Sequence, residues 1–323
     1  MNRVMQAGAE DVREYYCKNT RRFLRLGGGG RMLAMHRQLW LPGVPSRQEA
    51  FAAVNGLILD RLDSCGLLPP ASGEDGPPAG EKPRIIDLGC GAGGTVLWLA
   101  ERLPLHAVGV TNNDQQVRMA RRAARLRGLA ACEFIHADFH HLPYSNLFHA
   151  ASAVESFSHS PDPGLFFRSA ARLLKKGGLL ILADDFIASG SGTGPGREPG
   201  VRDQNRSKKP LGVPRTRRNR RRARQWLERF RRGWRLHSLL SVEKVKRLAG
   251  AAGFELIENT DLTGYTRTRW GKTVPLLPLA LINNRSPFLG NIAGGVSLRY
   301  CILRGFTRYR LLVFRLLRSP AAR

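Results

Sequence analysis

Asp87, Gly89, Gly91 and Gly93 stand at alternate positions of the stretch DLGCGAGG, directly after the apolar run RII. Glycines at a strand-to-helix turn let the backbone pass close to a ligand and leave the first helical N–H groups free to meet it. A plain tight turn would give the same string, so the surrounding pattern matters. No Lys-Ser/Thr pair follows the glycines, which disfavours a triphosphate loop. Asp87 instead sets a carboxylate before the first glycine, where it can face a cationic ligand.

Two residues further along carry proton chemistry. Glu155 and His159 lie four apart in VESFSHSPDP. A histidine titrates near neutrality and suits a general base, and a carboxylate can stabilise positive charge or take a proton. Blander roles compete: His159 can cap the helix that Ser160-Pro161 opens, and Glu155 can bond backbone in the turn. His140 and His141 have no partner at metal-ligand spacing. They read as loop residues, and no metal site is expected.

The elements that must position these groups follow from periodicity. RIIDLGC, HAVGVT, CEFIHAD, HAASAVES and LLILADDF read as short strands. Between them GTVLWLAERL, DQQVRMARRAARLRG and DPGLFFRSAARLLKKGG read as helices, the last with Lys175 and Lys176 in its final turn, where cations favour the helix dipole. FELIENTDL and TRYRLLVFRL supply two further strands, the second continuous enough in its apolar run to suit a helix also. Strands alternating with helices predict an α/β fold with a doubly wound, mostly parallel, seven-stranded sheet. Ahead of it, residues 1–68 form a helical cap, with Ser46 and Glu49 as a capping box and Phe51, Val54, Ile58 and Leu62 at helical spacing. Residues 69–83 are a Pro/Gly linker, 84–186 the core, 187–222 a mobile basic insertion, and 223–323 the completion of the sheet with an apolar Gly/Pro-rich segment at 264–305.

Charge divides the chain unevenly. Residues 1–187 hold 22 Lys+Arg against 18 Asp+Glu, and residues 188–323 hold 30 against 7. The C-terminal excess favours an acidic partner, whether nucleic acid, membrane surface or protein. Seven arginines fall within PRTRRNRRRARQ (214–225), without an interleaved aromatic ring of the kind that stacks on bases. Five scattered cysteines without C-x-x-C fit a reducing compartment. No signal peptide or spanning segment is visible, so a cytoplasmic protein, peripheral to a membrane at most, is expected.

The D-x-G-x-G-x-G spacing resembles motif I of class I S-adenosylmethionine (AdoMet) methyltransferases. GVTNNDQQ, FIHADFHHLPY and AVESFSHSPDP resemble the sterol C-methyltransferases in particular, and are similar to the tocopherol methyltransferases. The resemblance implies a Rossmann-like fold, AdoMet as cofactor, and an apolar acceptor methylated at carbon or oxygen: an isoprenoid, sterol-like, quinone or polyketide-type molecule. It implies cofactor contacts from Asp87, Gly89, Gly91 and Gly93. Thr111, Asn112 and Gln116 would meet the ribose in place of the family's usual acid. Asp138 would accept from the adenine amino group, although it can equally cap a turn, and Phe139 would pack on the ring. Glu155 and His159 would act in the transfer. YYCKNTRRFLRLGGGGRMLAMHR resembles the sterol enzymes' substrate region, which implies substrate contacts from Tyr15, Tyr16 and His36. It departs from the pattern at Cys17, where those enzymes have an acid, and in holding Phe23 where they have an aromatic-rich box. Two rivals remain: an RNA methyltransferase gripping phosphates with its arginines, and a non-catalytic AdoMet-binding protein.

Overall fold

The computed structural model describes residues 3–27, 29–67, 82–188, 217–281 and 287–318. The linker at 69–83 falls almost wholly outside them, as do residues 189–216 of the basic insertion.

Helices α1 (Arg3–Gly27) and α2 (Arg47–Ser64) precede the sheet. Ser46 accepts the Glu49 backbone N–H, as the capping pattern predicts, and its hydroxyl donates to the Glu49 carboxylate. Val54, Ile58 and Leu62 pack on one sheet face. The core follows as β1 (Arg84–Leu88), α3 (Gly94–Ala100), β2 (His106–Thr111), α4 (Asp114–Leu126), β3 (Cys132–His136), β4 (Phe148–Val154), α5 (Pro163–Leu173) and β5 (Leu174–Ile187). Then come α6 (Arg217–Gly233), α7 (Val242–Ala251), β6 (Phe254–Asp261), the short α8 (Trp270–Thr273), α9 (Pro287–Leu303) and β7 (Thr307–Leu316).

The seven strands lie in the order β3-β2-β1-β4-β5-β7-β6, parallel except for β7, which runs antiparallel to β5 and β6. The inner strands are buried on both faces, which is why they read as continuous apolar runs. One face packs on Phe157, Phe166, Phe167 and Phe254, the other on Val96, Leu97, Leu99 and Val117. β7 is a strand: Tyr309, Leu311 and Val313 face the second cluster, while Leu312, Phe314 and Leu316 face the first.

Two boundaries differ from the sequence reading. The helix α5 stops at Leu173, and Lys175 and Lys176 open β5. Leu174 turns extended and pairs with Phe148, then Gly177 at φ +81° makes an irregularity before the regular ladder resumes at Leu179. A Cβ on Gly178 would lie 2.8 Å from the Lys175 carbonyl, so the KKGG string is a tight bulge and not a helix end. The second difference is the insertion. Its residues 217–222 begin α6, because Ala223, Trp226 and Phe230 recur on one face and bury against α9. The two helices cross closely: a Cβ on Gly233 would sit 2.4 Å from the Gly294 Cα. The 264–305 segment folds with them as α8, a 3₁₀ turn (Val274–Leu281) and α9.

Candidate active site

The parallel strands end at a crevice of about 280 Å³. Its floor is the turn from β1 to α3. Gly89 has φ +88°, and a Cβ there would lie 2.4 Å from the Ser156 Cβ, so only glycine fits beneath the β4 end. Gly91, at φ +55°, faces the Met35 side chain. Asp87 is buried beside the turn and accepts from the Ser152 hydroxyl at 2.8 Å. Burial pushes its carboxyl up to about 7, the Ser152 bond opposing only part of that rise. Asp87, Gly89 and Gly91 all line the cavity. Gly93 does not: a Cβ on it would strike Phe134 and Ala120, so its smallness seats α3 against the sheet.

The β2 and β3 ends add the next wall. Thr111 donates to the Gln116 amide oxygen at 2.6 Å, and the Gln116 amide donates to Thr20 of α1 at 2.9 Å. Asn112 lines the cavity and donates to the Ala9 carbonyl at 3.3 Å. Asp138 accepts both the backbone N–H of His140 (2.9 Å) and its Nδ1 (2.7 Å). Burial acts to raise the Asp138 pKa, yet His140 outweighs it and holds the carboxyl below its ordinary range. His140 is thus no free loop residue. It is buried, lines the cavity, and bridges Asp138 to the Ser160 hydroxyl (2.8 Å). Phe139 also lines the cavity, its ring edge-on to Phe166 at 5.5 Å.

Glu155 and His159 reach the same cavity but have different partners. Glu155 sits at φ +50° at the end of β4. Its carboxylate accepts from the Arg37 backbone N–H and from Nε, both at 2.9 Å. Arg37 also forks onto Asp185 at the end of β5 and lies 4.1 Å over the Tyr309 ring. Burial acts to raise the Glu155 pKa, but the Arg37 charge and bonds keep it below the usual value. His159 is buried, with Nδ1 3.1 Å from the Arg235 carbonyl and Nε2 2.9 Å from the Tyr16 hydroxyl. A carbonyl only accepts, so Nδ1 carries the hydrogen and Nε2 accepts from Tyr16. Burial drives the His159 pKa down to about 4, so the ring is neutral at physiological pH.

Tyr16 and His36 line the cavity, whereas Tyr15 is buried behind Tyr16, 5.1 Å edge-on. His36 contacts the Arg37 carbonyl through Nδ1, and burial lowers its pKa. Aromatic surface missing from the N-terminal stretch comes from elsewhere. Trp234 stacks on Phe23 at 5.8 Å, and Trp234 and Phe230 line the cavity. Sequence reading passed over Arg37, Asp184, Asp185 and Trp234. Asp184 and Asp185 had one available signal, as acids inside the apolar strand LLILADDF.

Residues 86–182 match the profile described as a methyltransferase domain. This stretch is a methyltransferase domain. Around it, the cycloartenol-C-24-methyltransferase 1 of Oryza sativa subsp. japonica is 35% identical over 102 residues, or 30% of this chain and 30% of that protein. The chain spans about a third of the length of the curated relatives it matches. Among solved structures, the [4+2]-cyclase SpnF covers 95% of both chains at TM-score 0.62 and 23% identity. The geranyl diphosphate C-methyltransferase of Streptomyces coelicolor A3(2), solved with Mg²⁺, geranyl diphosphate and S-adenosyl-L-homocysteine, covers 96% of this chain and 97% of that one, at TM-score 0.61 and 17% identity. These likenesses establish the methyltransferase fold beyond the matched domain.

The arginine-rich segment stands apart from the domain. On α6, Arg221, Arg222, Arg224 and Arg232 are exposed, while Trp226 and Phe230 point inward. No exposed aromatic ring of α6, among the described residues, stands on that face. Among the described residues no helix is long and apolar enough to cross a membrane.

Proposed function

We propose that the chain is an AdoMet-dependent methyltransferase whose acceptor is an apolar small molecule, methylated at carbon or oxygen. The observation that carries this is one cavity lined by two kinds of residue. The glycine turn, Asp87, Thr111 and Asp138 line it together with Tyr16, Trp234, Phe230 and Leu298. The residues fit the cofactor. Asp87 is a buried carboxyl whose hydrogen-bond partner among the described residues is the Ser152 hydroxyl, and a cationic ligand would restore its charge. Asp87, Gly89 and Gly91 would hold the amino-acid end, Thr111, Asn112 and Gln116 the ribose, and Asp138 with Phe139 the base. When bound, AdoMet supplies an electrophilic methyl group, and the protein's part is to align the acceptor with it.

The proton leaves through Tyr16 and His159. The neutral ring offers Nε2 to the Tyr16 hydroxyl, so an acceptor bonded to the Tyr16 oxygen can pass its proton inward while Nδ1 stays anchored on Arg235. Glu155, already ion-paired with Arg37, supplies fixed negative charge. Carbon acceptors, the class printed in the names of the cycloartenol and geranyl diphosphate relatives, would develop positive charge that the faces of Tyr16 and Trp234 can shield. On this reading His159 acts in the transfer step with Tyr16, and Glu155 acts there as a fixed charge. The exposed arginines of α6 would give peripheral contact with an acidic membrane surface.

The test supplies radiolabelled AdoMet with a cell lipid extract and, separately, with total RNA, and identifies the labelled product. Label in an apolar molecule supports the reading. Label in RNA overturns it, and cofactor binding without transfer to any acceptor points to a non-methylating use of the fold.

A further inference from the structure

The stretch Met32–Arg37 crosses the glycine turn. A Cβ built on Gly94 would lie 2.7 Å from the Met32 carbonyl and 2.9 Å from that of Leu33, and one on Gly91 would lie 2.5 Å from the Met35 methyl. The Gln116 amide reaches the Met35 sulfur at 3.8 Å. Cofactor bound along the turn would therefore lie under this strap. The strap's N-terminal end is held by Ala34 N–H to the Gly29 carbonyl and, just ahead of it, by Arg127 Nη2 to the Arg31 carbonyl at 3.2 Å; its far end is pinned where Trp40 N–H meets the Tyr265 carbonyl. Between the two, the bonds from the strap to the sheet converge on one residue: Arg37 gives its backbone N–H and Nε to Glu155 and the rest of its fork to Asp185. Tyr309 closes the fourth side beneath the guanidinium.

We infer that Arg37 is a latch: by joining Glu155 to Asp185 it holds residues 32–37 closed over the cofactor turn, and Glu155 is its anchor and not the proton acceptor. The inference rests on reading the glycine turn as the cofactor site. A guanidinium suits the task because its planar fork can meet two carboxylates at once, which an ammonium cannot do with the same geometry. Arg37 is here a positioning residue; it need not touch the acceptor.

The test compares wild type with Arg37→Met and Arg37→Lys in two assays. The first is stopped-flow dissociation of S-adenosylhomocysteine. The second is trypsin cleavage after the exposed Arg31, followed by mass spectrometry without ligand. Breaking a buried ion network is strongly unfavourable, so Arg37→Met is expected to release the ligand on the order of tenfold faster or more, and to expose Arg31 to a similar degree. Arg37→Lys should fall between. Asp185→Asn should loosen the strap alone and add nothing on the Arg37→Met background, as coupled partners do. Wild-type release and wild-type Arg31 cleavage in a folded variant would overturn the latch. If Arg37→Met does not fold, Arg37→Lys decides by the same readings. If wild type binds no S-adenosylhomocysteine, the cofactor reading fails, while Arg31 cleavage still judges whether Arg37 holds the strap.

Discussion

Replacing Asp87 by asparagine should make the ligand-free protein more stable while abolishing its cofactor site. The folded-state carboxyl is pushed up to about 7 from an ordinary 3.8 by burial. A carboxyl with a raised pKa binds more protons folded than unfolded, so stability falls as pH rises from about 4 to about 7 and levels off above. The difference of about three pKa units corresponds to about 4 kcal/mol at pH 8, the order of the gain expected for Asp87→Asn there. At pH 4 the folded carboxyl is already protonated and the gain should vanish. The retained Oδ1 can still accept from Ser152, whose hydroxyl donates at 2.8 Å in the wild type. Urea unfolding of both proteins at pH 4, 6 and 8 measures the difference, and calorimetric titration with AdoMet measures the loss of binding. Asp184, also pushed up to about 7, is common to both proteins and cancels in the comparison. A variant less stable than wild type at pH 8, or a gain independent of pH, would refute the assignment of Asp87 as a charge stored for a cationic ligand.

His159→Ala should lower kcat on the order of 10²-fold with AdoMet affinity intact; Tyr16→Phe should act in the same direction, and wild-type turnover in both variants would remove the proton relay. Tyr309→Phe deletes a fully buried hydroxyl with no hydrogen-bond partner among the described residues, and should stabilise the fold by about 1 kcal/mol in denaturant titrations. Gly233→Ala should separate α6 from α9, since its Cβ would meet Gly294 at 2.4 Å, costing about 1–3 kcal/mol and lowering the melting temperature.

How far the sequence could be read depended on sequence distance. The glycine turn, the strand runs and the ladder of helices are local patterns, and β1 to β4, with β5 from Leu179 on, stand where periodicity puts them. Asp138, Glu155 and His159 were reachable because strand ends converge by topology. Their partners were not. Tyr16 meets His159 across 143 positions, and Arg37 meets Asp185 across 148. No spacing encodes such pairs; the fold alone brings them together. His140 lies in a loop, as the sequence suggests, but its two ring nitrogens join Asp138 to Ser160, a link that no spacing encodes. The Lys175–Lys176 boundary failed because helix-ending cations and a glycine bulge have the same spelling. The aromatic surface that the stretch around Phe23 lacks comes from Trp234, remote in sequence but stacked on Phe23 in the fold.

The strand order also sets a schedule for synthesis. β7 separates β5 from β6, and β6 pairs only with β7. A nascent chain that has finished β5 therefore keeps one apolar edge of its sheet open until β7 emerges, roughly 120 residues later, which at ~5–20 residues per second is ~6–24 s. Residues 188–306, made during that wait, carry 25 Lys+Arg against 7 Asp+Glu. Like charges on neighbouring nascent chains repel, and an open edge is where such chains would otherwise zip together. The basic stretch would thus oppose such zipping while the sheet waits for β7, the last strand to be made.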